Sequence, residues 1–553
     1  MGGDIDPNDK LSDFRAFVVA FKCFTGPGML SLPFALDHSG YAIGLPALVG
    51  FACLSIHGII TLVECARTVE AKDGKPAANY TEIALSLVGP LTAKFVSVCV
   101  CCAQLAVCIV FVSLISTNLA AVAPCAEKAH LVMDEHTEQI IIMREPDCFG
   151  LSPLALKRVM IVMVMPILMA LSWLPSIRTL APLANVANVL MLVTIFLVLF
   201  YSLKAFFFVG LADSFVPWPH GVQPFFMFIG NCYYSFEAVS TIVPLAGAME
   251  RRDRVKPVLL QALGCVIVLQ VAIAMVCYAT IPNIDNGSIT AVLAKTPQQR
   301  GASSSDIGLQ VPPTVVKFMN VFVIIAVIFS FPLVMFPATQ QLEKSLGIAK
   351  AKRPEALTEK ELLKALDGDD APDDISELSE DKAFAGSNPS AGWDKNRDRA
   401  SLGMPVKRGP GDFYYPSKDS LKRGGDDESD DDSDRDPRAM DLEVEQRKGG
   451  LKCISAKQLA FRSFLVLGVS LVPMVITDLT LTIDLFGSLL GSTLTIILPN
   501  FLAFHALDVA AAEEKRASNG FPKAVKAGTM AFAGVMAVGA AGAVLAELLA
   551  GGH

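Results

Sequence analysis

Charge is scarce in this chain. Asp, Glu, Lys and Arg make up 18% of it, against about 25% in a typical soluble protein. That excludes a water-soluble enzyme or a secreted disulfide scaffold as a reading of the whole chain. Basic residues are in deficit, 46 Lys and Arg against 54 Asp and Glu for a net charge of -8, so no nucleic-acid partner is indicated. Histidine is rare, with 7 in 553 residues. No His-x-x-x-His pair, nucleophile elbow or phosphate-binding glycine loop occurs. Nothing in the pattern points to an enzyme, a cofactor or a metal ion. A cleavable signal peptide is also missing, since residues 1–12 are polar and the first apolar stretch runs on into a full span.

What is abundant is apolar sequence in unbroken runs. Hydrophobic residues reach 52% and mean hydropathy is +0.49. Runs such as Val159–Leu171 and Gly264–Tyr278 are hydrophobic all round, so lipid or a buried bundle must surround them. A helix needs about 20 such residues to cross a bilayer. Eleven stretches qualify: 13–36, 42–68, 91–123, 155–173, 182–210, 222–246, 258–281, 314–338, 458–477, 485–507 and 525–550. The expectation is an all-α multi-pass membrane protein with helices 1–8 in 1–340 and helices 9–11 in 458–553. Between them, 341–457 holds 21 Lys and Arg and 27 Asp and Glu, a net of -6, including the acidic run Asp426–Asp434. Such composition buries too little apolar area to offset ordering. It reads as a disordered acidic cytosolic loop, with a short helix over Leu357–Leu366, open to a cytosolic regulator.

Orientation follows from Lys and Arg near span ends. With the N-terminus in the cytosol, Lys72, Lys75, Arg178, Arg251, Arg252, Arg254, Lys256, Lys515, Arg516 and Lys523 fall inside, while 37–41, 211–221 and 478–484 outside hold none. The outside loop 124–154 carries Cys125 and Cys148, a pair suited to a disulfide. Asn286-Gly287-Ser288, in another outside loop, is a glycosylation sequon.

The first span contains Thr25-Gly26-Pro27-Gly28-Met29 near its middle. Pro27 removes an amide hydrogen and clashes with the preceding turn; Gly26 and Gly28 permit unusual dihedrals. Unpaired backbone in lipid is tolerated where it lines a cavity or meets a ligand. The freed amides suit a carboxylate and the freed carbonyls an ammonium. An amino acid carries both. In the sixth span Glu237 stands out, because a carboxylate inside a membrane is a functional hypothesis by default. Other polar span residues are His57, Gln104, Asn118, Lys204, Ser330 and His505. Gln104 and Asn118 lie four turns apart and share a helix face. A lone span histidine is more often a packing residue than a proton carrier.

Thr25-Gly26-Pro27-Gly28-Met29-Leu30-Ser31-Leu32-Pro33-Phe34-Ala35 resembles the first-helix motif of the amino acid/auxin permease family. Ser55 to Ala66, with His57, Gln104 through Asn118, Tyr234 to Leu245, Phe329 to Leu333 and Gly487 to Thr493 resemble helices two, three, six, eight and ten of its proton-coupled amino acid transporter branch. The resemblance covers nearly all helices. It implies the amino acid–polyamine–cation superfamily fold, a 5+5 inverted repeat with helices 1 and 6 broken. Substrate would sit at the breaks, on Thr25, Gly26, Pro27, Gly28 and Met29, with Tyr233, Ser235, Phe236 and Phe331 shaping the pocket. His57 takes the place of a proton-coupling histidine, and Glu237 is a second candidate carrier or a partner for the substrate amine. The family usually has Gly-Thr-Gly where this chain has Thr-Gly-Pro-Gly, and the 341–457 insert is longer than usual.

The function this implies is secondary active amino acid symport coupled to protons by alternating access. Sodium coupling is the first alternative; it would use hydroxyls on helix eight, where Ser330 stands without an evident Ser/Thr pair. A membrane amino acid sensor signalling through the cytosolic loop is the second. The plasma membrane and a vacuolar or lysosomal membrane both suit the topology.

Overall fold

The computed structural model describes residues 11–74, 79–123, 126–133, 140–147, 150–174, 177–237, 239–295, 311–348, 455–514 and 520–549. Most of 341–457, with the Leu357–Leu366 helix, lies outside the described residues, as do Cys125 and Cys148.

Nine helices among the described residues are long and apolar enough to cross a membrane. Two further apolar stretches are each split. The first is α1 (Asp13–Phe24), a 3-10 turn (Pro27–Leu30) and α2 (Leu32–Ser39). The sixth is α8 (Val222–Ser235) and α9 (Val239–Ala248). The other spans, in order, are α3 (Tyr41–Asp73), α5 (Pro90–Val122), α6 (Pro153–Ser172), α7 (Ile177–Phe208), α10 (Val255–Thr280), α12 (Pro313–Ser345), α13 (Ala456–Val475), α14 with α15 (Leu479–Phe486, Leu498–Glu514) and α16 (Gly520–Leu549). Short helices α4 (Tyr80–Leu87) and α11 (Ile289–Ala294) sit in connections. The chain is thus a multi-pass helical membrane protein. α12 continues to Ser345, past the expected boundary at 340, before the chain leaves the described residues.

One departure from an all-helical chain is a hairpin of β1 (Ala126–Met133) and β2 (Ile140–Asp147), antiparallel with Ala126 opposite Asp147. It is an insertion between the third and fourth spans and leaves the bundle helical.

The breaks follow from local chemistry. Gly26 is extended at φ -121° and ψ -175°, and Pro27 has no N–H to return to the preceding turn. Thr25 closes α1 by donating its hydroxyl to the Phe21 carbonyl at 2.8 Å. No glycine or proline interrupts the sixth span at Phe236–Ala238. There the Ser235 carbonyl accepts from Gln270 Nε2 of α10 at 3.3 Å. A side chain from the seventh span thus takes a carbonyl at the interrupted turn.

The third, fifth and eighth spans pack together, and the halves of the first span lie on the seventh and sixth. Large apolar side chains such as Phe207, Phe208, Val268, Phe464 and Val538 project outward, exposed, as a lipid-facing surface requires. The tenth span widens into π-helical turns over Gly487–Gly491 and Thr493–Ile497. A methyl at Gly487 would overlap the Gly230 carbonyl oxygen, and one at Gly58 the Thr495 carbonyl oxygen. Glycine lets the tenth span touch the sixth and second backbone to backbone.

Candidate functional site

A cavity of about 440 Å³ lies at the two breaks, within the range of about 300–1,000 Å³ common for small-molecule sites. Thr25, Gly26, Pro27, Gly28 and Met29 form one wall; Tyr234, Ser235 and Glu237 form the facing one. Gln104 and Phe111 of the third span, Asn188 and Met191 of the fifth, and Ser330 and Leu333 of the eighth complete it. The broken helices therefore meet, and Gln104, Ser330 and Glu237 line the same cavity as the first break.

The break offers both polarities of backbone. Gly26 and Gly28 stand at a helix start, where amides have no preceding carbonyl to bond. The Gly28 carbonyl accepts from Ser31 Oγ at 2.8 Å and from Ser235 Oγ at 3.2 Å, tying the two breaks together. Gly28 must be small, because a Cβ there would sit 3.1 Å from the Tyr234 ring. Glu237 follows the last turn of α8, and its buried Oε1 has no hydrogen-bond partner. An unpaired carboxylate oxygen on a cavity wall is a ready acceptor for an ammonium or a proton.

The cavity extends along α1, which contributes Val19, Lys22 and Cys23, and along α9, which contributes Thr241. Lys22 Nζ donates to Asn185 Oδ1 at 3.3 Å. The opposite side is packed shut. The segment before α8 lies on the α2–α3 turn, with the Ala42 amide on the Pro217 carbonyl at 3.0 Å and the His220 amide on the His38 carbonyl at 3.3 Å. Gly40, at φ +64°, permits that approach.

Several expected residues lie elsewhere. Tyr233 is buried against Phe51, ring centres 5.0 Å apart; successive helix residues point about 100° apart, so Tyr234 faces the cavity instead. Phe236 and Phe331 are buried in the hydrophobic core. Asn118 accepts from Ser288 Oγ at 3.1 Å and Thr290 Oγ1 at 2.7 Å. It fastens α11 to the third span, outside the cavity. His57 does not line the cavity either; its Nε2 lies 3.1 Å from Asn500 Oδ1 of the tenth span. Asn286 is half-buried and accepts from the Ser288 amide at 2.9 Å. Lys22, Cys23, Asn188, Tyr234 and Thr241 are cavity residues absent from the expectation. Lys22 had a legible signal, a charge inside a span one turn before Gly26-Pro27-Gly28.

A family model described as "Transmembrane amino acid transporter protein" matches residues 9–546. The chain belongs to the transmembrane amino acid transporter family. Members of this amino acid/auxin permease family are transporters rather than enzymes. Amino acid transporter AVT3A of Arabidopsis thaliana is 22% identical over 361 residues, 62% of this chain and 71% of that protein. Amino acid transporter AVT3B of the same plant is 23% identical over 338 residues, 60% of this chain and 72% of that protein. Vacuolar amino acid transporter 4 of Saccharomyces cerevisiae is 22% identical over 333 residues, 60% of this chain but 40% of that protein. The family assignment fits the geometry of two broken helices around a cavity lined by the first break and a carboxylate.

Proposed function

We propose that the protein is a proton-coupled amino acid symporter working by alternating access. The observation that carries this reading is the cavity at the paired breaks, with Glu237 on its wall and one carboxylate oxygen unpartnered. The substrate carboxylate meets the Gly26 and Gly28 amides. Its ammonium meets the Gly28 carbonyl and Glu237, and Tyr234, Phe111, Met191 and Leu333 bound the side chain. Glu237 is equally placed to hold the co-transported proton, with the ammonium then resting on the Gly28 carbonyl alone. His57, outside the cavity, contributes through the tenth span. With its cavity extending along α1 and α9 and the side of the α2–α3 turn packed shut, this conformation is one end of a rocking cycle.

The yeast relative is named as a vacuolar transporter, which favours a vacuolar-type membrane, with the N-terminus cytosolic. A Cys125–Cys148 disulfide and a glycan at Asn286 belong to the opposite face in this reading. The 341–457 loop is a site for a cytosolic regulator.

Uptake of labelled alanine into proteoliposomes tests the reading, first under a pH gradient and then under a sodium gradient. Accumulation driven by protons and abolished by a protonophore supports it. A strict sodium requirement would move coupling to Ser330 and its surroundings. Binding without flux under both gradients would favour a sensor.

A further inference from the structure

Asp484, near the start of the tenth span, is a second carboxylate the cavity does not account for. It is 1% exposed, and no salt bridge reaches it among the described residues. The ionisable groups around it are Asp478 at the start of its own helix and Cys232 on α8. The third span carries no ionisable side chain from 109 to 122. On the eleventh span, Glu547 is engaged by Gln223. The nearby Asp478 is different: it is exposed and has Lys157 and His38 in its field.

Among the described residues, the amide of Asn231 is the uncharged side chain that addresses Asp484. That pairing is loose, since neither Asp484 Oδ1 nor Asn231 Nδ2 closes a well-formed hydrogen bond. Asn231 is itself 1% exposed. Its other end is engaged firmly. Asn231 Oδ1 accepts from Ser31 Oγ at 3.0 Å and lies 3.5 Å from Ser235 Oγ. Those two hydroxyls also reach the Gly28 carbonyl, beside the Ser31 amide at 3.2 Å. Each hydroxyl has one proton and two acceptors in range, so the pair divides between Gly28 and Asn231. Gly230 packs directly on the Asp484 backbone, so the two helices meet there with no side chain between them.

We propose that Asp484 is a proton-binding residue whose state is read by the break in the first span through Asn231 and the Ser31 and Ser235 hydroxyls. This rests on the proton-coupled reading above. A hydronium in water at the exposed Asp478 face gives up a proton, which forms an O–H bond on Asp484 and is released to water on the opposite side once the protein has reoriented; no other bond changes. An ionised Asp484 draws the Asn231 amide toward itself. Asn231 Oδ1 moves with it, and the hydroxyls redistribute between Oδ1 and the Gly28 carbonyl. Gly28 lines the cavity, so the availability of its carbonyl to a substrate ammonium depends on a proton held outside the cavity.

The test is transport by the purified full-length protein in proteoliposomes, with labelled alanine, comparing wild type, Asp484→Asn and Asp484→Glu. The expected result is that D484N exchanges alanine in counterflow but loses accumulation under a pH gradient, its ratio falling to about 1. D484E is expected to accumulate with a shifted pH midpoint. A D484N protein with the wild-type pH profile and accumulation overturns the proposal. Wild type that shows no pH-gradient dependence overturns the proton-coupled reading itself, and this proposal with it. If D484N does not fold, wild type alone decides: carbodiimide labelling mapped by mass spectrometry should modify Asp484 and fade as pH rises. Labelling of Asp484 that ignores pH, or its absence at every pH, overturns the proposal.

Discussion

His57 Nε2 lies 3.1 Å from Asn500 Oδ1, joining the second and tenth spans across 443 positions of sequence. Asn500 donates its amide to the Ile496 carbonyl at 2.8 Å, which leaves Oδ1 as the acceptor. His57 Nε2 therefore donates, in the neutral or the charged imidazole, and a proton gained at Nδ1 leaves the bond intact. Removing either partner orphans the other, at a cost of about 1–3 kcal/mol. His57→Ala and Asn500→Ala are expected to lower pH-driven uptake by similar amounts, and the double variant no further. Losses that add across the cycle would mean that the two residues act separately.

Glycine contacts around the tenth span give a sharper contrast. A methyl at Gly58 or Gly487 would run into a carbonyl oxygen of a neighbouring backbone, whereas Gly26 has open space around its missing Cβ at a φ of -121° that alanine accepts. Overpacking against backbone costs about 1–3 kcal/mol or more. Gly58→Ala and Gly487→Ala should lose folded, monodisperse protein on size-exclusion chromatography. Gly26→Ala should fold and instead weaken substrate affinity by filling the cavity wall. A well-folded, fully active G58A would show that the second and tenth spans separate more easily than their contact implies.

Arg462 Nε donates to Glu343 Oε1 at 2.8 Å, with both side chains almost fully buried. The same guanidinium donates to the Ser172 and Leu174 carbonyls at 3.2 and 3.1 Å. The pair closes the ends of the eighth and ninth spans, on either side of the long insert. Breaking a buried pair costs about 3–5 kcal/mol, while replacing both members by apolar residues is often near neutral. Arg462→Met alone should lower the detergent-solubilised melting temperature by several degrees. Glu343→Leu with Arg462→Met should recover part of it. Replacing 350–452 by a flexible linker is expected to leave that temperature unchanged in the otherwise native chain.

Thr25-Gly26-Pro27-Gly28 announces the first break in its own letters, because proline and glycine act on the backbone locally. The sixth break has no such letters. Its interruption involves Gln270, 35 residues away in sequence, and a tertiary partner leaves no local trace. The choice between Tyr233 and Tyr234 turns on about 100° of helix rotation, finer than a composition pattern resolves. Asp484 read as the last residue of a polar connection because the apolar run begins after it. Only the packing of α8 on α14 places it inside. His57 and Asn118 were legible as polar residues in spans, but their partners Asn500 and Ser288 belong to distant helices.

Glu237 is where the transport reading is most exposed to test. It lines the cavity, and its buried Oε1 lacks a partner. An ammonium bound there would gain a charge-assisted bond of about 1.5–3 kcal/mol, equivalent to roughly a 10- to 150-fold change in affinity at about 1.4 kcal/mol per decade. Glu237→Gln keeps the volume and removes the charge. The protein should fold, bind alanine about 10- to 150-fold more weakly, and lose the rise in uptake that wild type shows under an acid gradient. Glu237→Asp should retain that rise at lower rate. The two effects separate the roles of the carboxylate: weaker binding with the pH response intact makes Glu237 an amine partner only. An unchanged affinity with a flat pH profile makes it a proton carrier only. If E237Q matches wild type in both, the substrate sits elsewhere and the cavity reading fails.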